Sequence, residues 1–154
     1  MIRLFDRLQL WLERATGLLC LVLLGCLFVE VLNRYVLGIS WPEIQFIIPF
    51  CFLWMCMLAS ATAVRRRQHF EVDLISVLFS ERGVKIHQIV ILAGVALGGL
   101  VLAWSSIAFL ELGLLKKNPS TGIRMIYIYA SLFLGSLLIA LFAVERIINA
   151  GWER

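Results

Sequence analysis

The sequence predicts an all-α integral membrane protein with four transmembrane helices, two amphipathic interfacial helices and both termini cytoplasmic. Three observations carry this. The 154 residues are 62% hydrophobic and only 16% charged, with a mean hydropathy of +0.95. A soluble domain carries about 25% charged residues and needs polar atoms to cover its surface. This composition cannot supply that cover in water, which disfavours a soluble enzyme, a disulfide-rich secreted domain and a disordered regulator. The apolar residues also fall into four runs, each supplying the roughly 20 helical residues that cross a hydrocarbon core. Finally, the runs lack the period-two alternation of a membrane barrel. The length is that of one domain, 1–154.

Residues 1–14 form the first interfacial element. Leu4, Phe5, Leu8, Trp11 and Leu12 make one helical stripe, while Arg3, Asp6, Arg7, Gln9 and Glu13 occupy the wet side. Such a helix lies along the headgroups. A cleaved signal peptide has an apolar core of about 7–15 residues ending at a small-residue site. Here the run continues to Asn33 and Arg34 without one, so the segment reads as a retained anchor.

The spans follow at 15–36, 41–64, 86–115 and 125–148. The third is long enough to tilt or to extend beyond the lipid. After the first span, residues 38–40 supply a turn, and Ser40 with Glu43 reads as a capping box. Pro42 is tolerated in that first turn. Pro49 interrupts the second span and frees a carbonyl near Gln45. At 69–82, Phe70, Leu74, Val77 and Leu78 oppose Asp73, Ser76 and Ser80. This predicts a second interfacial helix, with an ordinary loop as the alternative. Residues 118–122 form the turn before the fourth span.

Basic residues set the orientation. Arg3, Arg7, Arg14, Arg65, Arg66, Arg67, Arg82, Lys85, Arg146 and Arg154 fall on the side of the N-terminus. Only Arg34, Lys116, Lys117 and Arg124 fall on the other. This bias places both termini inside, with the triplet Arg65, Arg66 and Arg67 dominating. The net charge of +4 is therefore topological, and no nucleic-acid partner is expected.

An ionisable residue within a span is a functional hypothesis by default. Glu30, Arg34, Glu43, Glu111, Glu145 and Arg146 qualify, but all sit toward span ends. Glu30 lies one turn from Arg34, where an i, i+4 ion pair is available. Glu111 lies near Lys116 and Lys117. Structural roles are expected for all of them. A chain that carried substrate itself would need midplane polar groups and broken helices. Cys20, Cys26, Cys51 and Cys56 lie in apolar runs and read as small hydrophobes. His69 and His87 sit at the wrong depth to hold a haem. No phosphate-cradling, zinc-protease or nucleophile-elbow motif occurs.

Small residues are more informative. Gly94, Gly98, Gly99, Ala103 and Ser106 in the third span admit close backbone approach, as do Ser131, Gly135, Ser136 and Ala140 in the fourth. They serve either this chain's own bundle or a face for another membrane subunit. Trp11, Trp41 and Trp152 suit the membrane interface, whereas Trp54 and Trp104 lie deeper, at candidate helix contacts. Lys116, Lys117 and Arg124 offer positive charge either to an acidic partner or simply to solvent.

The stretch NRYVLGISWPE, the segment FLWMCMLASATAVRRRQHFEVD and the STGI before the last span resemble the DctQ-like, or Q, subunit of tripartite ATP-independent periplasmic (TRAP) transporters. Its most specific pieces run from Asn33, Arg34 and Tyr35 to Trp41 and Glu43, and from Arg65 through His69 to Asp73. One departure is Ile44, where the family often carries a second acidic residue. The resemblance implies a non-catalytic subunit in a heterodimer with a large M subunit. M holds the substrate and sodium sites and moves elevator-fashion, while a soluble periplasmic protein delivers an organic acid, such as sialic acid or a four-carbon dicarboxylate. No cofactor is implied in this chain; the sodium ions belong to M. The Q subunit is taken to brace the immobile part of M in the bacterial inner membrane, among its lipids. The competing reading is a self-contained proton-coupled exporter using Glu30.

Overall fold

The computed structural model describes residues 2–39, 41–65, 81–119 and 121–152. Helix α1 (Ile2–Leu32) passes into a π-helical turn (Asn33–Leu37), which ends at Gly38 with a left-handed φ of 65°. Gly38 and Ile39 both donate to the Asn33 carbonyl. Three further helices follow: α2 (Pro42–Arg65), α3 (Glu81–Leu115) and α4 (Ile126–Trp152). Their apolar stretches, Phe5–Leu37, Pro42–Arg65, Ile89–Leu115 and Ile126–Ile148, are long enough to cross a membrane. The four predicted spans are therefore present.

The amphipathic residues 2–14, expected to lie along the headgroups, are continuous with the first span. α1 has no break near residue 14 and forms one 31-residue rod, roughly 46 Å long at 1.5 Å per residue. No helix breaker occurs at Glu13, Arg14, Ala15 or Thr16, and the Thr16 hydroxyl is absorbed locally by the Leu12 carbonyl at 2.8 Å. The amphipathic stripe is nonetheless used. Phe5 and Leu12 pack on the bundle core, while Trp11 stays 74% exposed. Part of the stripe thus covers protein where lipid was expected. The predicted interfacial helix at 69–82 lies outside the described residues, apart from Glu81 and Arg82, which already belong to α3.

Among the described residues the helix backbones approach one another in the order α1, α2, α4, α3, and side chains of α1 also reach α4. α2 and α4 are the interior members, and α4 is the more buried of the two. The buried share of the apolar stretch rises from 6% in α1 to 39% in α4. The core is built on small side chains: Ala61 of α2, Ala96 of α3 and Ala143 of α4 surround Phe142, with Val64 and Leu92. The Phe5 ring meets Phe142 edge-on at 6.4 Å. Lipid offers no hydrophobic drive between helices, so close backbone approach and dispersion contacts must hold them.

Buried hydroxyls within the bundle bond to carbonyls of their own helix. Ser131 donates to the Ile128 carbonyl at 2.7 Å, Ser136 to Leu132 at 2.6 Å and Ser106 to Leu102 at 2.6 Å. Thr62 does the same toward Ala59 at 2.9 Å. An unsatisfied hydroxyl in hydrocarbon costs several kcal/mol, and these local bonds remove that cost where the helices pack.

Candidate functional site

At the end of the bundle that holds both termini, one side chain joins three helices. Arg65, the last residue of α2, donates from Nε to Glu145 Oε2 at 3.1 Å and from Nη2 to Glu145 Oε1 at 3.3 Å. Nη2 also reaches Asp6 Oδ1 at 2.7 Å. Nη1 donates to the Phe5 carbonyl at 3.0 Å and to Gln9 Oε1. Gln9 in turn donates to Glu13 Oε1 at 2.7 Å. The guanidinium carbon lies 5.9 Å from the Phe142 ring centre, giving a cation–π contact. Arg146 Nη1 donates to the Val64 carbonyl at 2.8 Å and so satisfies one of the orphan carbonyls ending α2. α1, α2 and α4 are thereby locked together at one end.

The sequence marked Arg65 as an orientation charge and missed this clasp. Asp6, Arg65 and Glu145 lie at the same end of three spans with opposite charges, and that was the available signal. Arg66, Arg67, His69 and Asp73 lie outside the described residues.

The candidate packing residues divide into inward and outward sets. Gly99 is buried, and a Cβ added there would lie 3.1 Å from the Ala140 nitrogen and the Ser136 oxygen. At Gly135 an added Cβ would lie 2.5 Å from Met57 Cβ. Gly113, which the sequence reading passed over, lets α3 approach Ile126, whose Cα would lie 2.8 Å from an added Cβ. These three glycines serve the chain's own packing. Trp54 also turns inward: its Nε1 donates to the Tyr127 carbonyl at 3.0 Å, fastening α2 to α4, and its ring lies 6.1 Å from Phe50.

Gly94 and Gly98 behave differently. Both are exposed, and a Cβ at either would meet nothing within 4 Å. They share one side of α3 with Val101 and Ser105, opposite the buried Ala96, Gly99 and Ala103. Trp104, 79% exposed, flanks that stripe. An open apolar groove of about 920 Å³ also runs along the row, between Phe5 and Leu12 on α1 and Leu100 on α3, with Leu138 and Leu141 of α4 among its lining.

Residues 23–151 match the family of tripartite ATP-independent periplasmic transporters, DctQ component. The chain belongs to this family. No curated protein matches it. A DctQ component is the small membrane part of a transporter that works with a large membrane subunit and a binding protein.

Within this DctQ component the other charged residues near the span ends do not share the clasp's pairing. Glu30 and Arg34 are not paired among the described residues. Arg34 is exposed, its long side chain free to reach the polar boundary, while Glu30 Oε2 is buried without a partner, as is Asn33 Nδ2 one turn on. Glu111 is exposed and makes no ion pair with Lys116 or Lys117. Glu43 is exposed in the first turn of α2, where its charge complements the helix dipole. Ser40, its predicted capping partner, lies outside the described residues.

At the opposite end from the clasp, residues 116–118 and 123–125 pair as the arms of a short hairpin. Lys117 and Arg124 face each other across an antiparallel bridge, and Gly122 adopts φ 69° in the turn. Lys116 is exposed beside them.

Proposed function

We propose that this DctQ component is the non-catalytic brace of a sodium-coupled importer. It docks beside the large M subunit, which carries the substrate and sodium sites, and a periplasmic binding protein delivers the organic acid. Sialic acid and four-carbon dicarboxylates are the substrate classes. The chain lies in the bacterial inner membrane with both termini cytoplasmic, so the Arg65 clasp faces the cytoplasm and the hairpin faces the periplasm. The excess of basic residues at the terminal end supports that orientation.

The observation carrying this reading is the pair Gly94 and Gly98. Glycine inside a helix costs about 1 kcal/mol relative to alanine. Gly99, Gly113 and Gly135 offset that cost through close approach within the chain, whereas a Cβ at Gly94 or Gly98 would meet nothing within 4 Å. A neighbouring backbone seated on this stripe accounts for both. The Arg65 clasp suits the same role. A brace for a moving partner must not shear, and three helices pinned at one end resist that motion.

Reconstitution tests this directly. Liposomes holding this chain with the co-expressed large subunit and the binding protein should take up organic acid under a sodium gradient. Liposomes holding this chain alone should not. Uptake by the chain alone would overturn the proposal, as would full uptake by the large subunit without it.

A further inference from the structure

We infer that the hairpin between α3 and α4 binds a phosphate oxyanion, supplied by the headgroup of an anionic membrane lipid. Lys117 and Arg124 are the bridged pair. The hydrogen bonds lie to either side of them: Asn118 N–H to the Ile123 carbonyl at 2.9 Å, and Met125 N–H to the Lys116 carbonyl at 3.1 Å. That pattern makes Lys117 and Arg124 a non-hydrogen-bonded pair, the narrow kind with Cα atoms about 4.5 Å apart and side chains leaving the same face. The Gly122 N–H, bonded to the Asn118 carbonyl at 2.8 Å, closes the turn.

The backbone thus holds two cations side by side. Both are exposed, and neither has an acidic partner among the described residues. Like charges directly opposite destabilise a strand pair, so this arrangement does nothing for the hairpin itself. An oxyanion bridging the ammonium and the guanidinium converts their repulsion into charge-assisted hydrogen bonds.

Depth selects the source of the anion. α3 ends at Leu115 and α4 begins at Ile126, so each cation lies two residues from an apolar stretch. That is the level of the lipid headgroups. Leu115, 86% exposed, and Tyr127, 59% exposed, flank the pair. They suit acyl chains and the aromatic belt, whereas an acidic protein arriving from water would leave Leu115 unmatched. This inference is independent of the bracing role.

The test uses the full chain, delipidated in detergent, with bound lipid followed by native mass spectrometry. The probes are short-chain phosphatidylglycerol, short-chain phosphatidylcholine and inorganic phosphate. Lys117→Gln with Arg124→Gln should weaken phosphatidylglycerol binding about thirtyfold and barely change phosphatidylcholine binding. Lys117→Arg should retain the affinity. The double variant should melt no lower than the parent, because repulsion is removed. Equal phosphatidylglycerol affinity in parent and double variant would overturn the inference. So would inorganic phosphate binding as tightly as the lipid, which would make the source a free ion. A variant that loses capture of an acidic binding protein while keeping its lipid would overturn it in favour of a protein contact.

Discussion

Arg65 holds both carboxylate oxygens of Glu145, at 3.1 and 3.3 Å, across 80 positions of sequence. Each side chain is only 12% exposed. The same guanidinium reaches Asp6 at 2.7 Å, but Asp6 is 55% exposed. Burial therefore ranks these two partners.

Arg65→Ala leaves Glu145 as a nearly buried, uncompensated charge and should cost about 3–5 kcal/mol. Asp6→Asn should cost less than about 1 kcal/mol, because solvent screens that pair. Arg65→Met combined with Glu145→Leu should recover most of the loss. Thermal unfolding of the full chain in detergent gives the order; equal losses for Asp6→Asn and Arg65→Ala would contradict it.

Trp54→Phe keeps an aromatic ring beside Phe50 and removes the 3.0 Å bond to the Tyr127 carbonyl together with part of the indole. Interhelical hydrogen bonds in membranes average about 0.6 kcal/mol and reach about 1.7. A loss within that range is expected from the same melting measurement. A larger one would mean that the ring packing had also changed.

The glycines separate internal from external packing. Gly135→Ala drives a Cβ against Met57 and should destabilise the chain by about 1–3 kcal/mol. Gly94→Ala with Gly98→Ala meets nothing, and should stabilise the isolated chain by up to about 1 kcal/mol per site. The second pair should instead reduce co-purification with the large subunit. Undiminished co-purification would remove this stripe from the interface.

Glu30→Gln should leave the unfolding temperature unchanged or raise it, because its buried Oε2 has no partner to lose. Transport by the assembled complex should persist. Abolished transport with normal assembly would revive a proton-coupled role for this carboxylate.

Much of the fold is legible in the residues. Four apolar runs become four helices near the expected positions, and Gly38 ends the first where a turn was expected. The lead-in at 1–14 illustrates the boundary of such reading. Its amphipathic spacing is present, but spacing cannot distinguish a headgroup surface from the flank of a neighbouring helix. Phe5 and Leu12 meet protein, and Asp6 and Gln9 meet Arg65. Glu30 and Arg34 stand unpaired with each other for a related reason: i, i+4 spacing makes a contact available without requiring it.

Partition into lipid acts on each segment separately, so composition and run length alone establish that this chain has four helices able to cross a bilayer. Which helix stands beside which belongs to pairs of segments. Acyl chains are as apolar as leucine, so an oily face carries no address for its neighbour. The row order came instead from where Ala61, Ala143, Gly99 and Gly113 permit close approach, and from fastenings such as Arg65 to Glu145 and Trp54 to Tyr127. These contacts exist only once the helices have met.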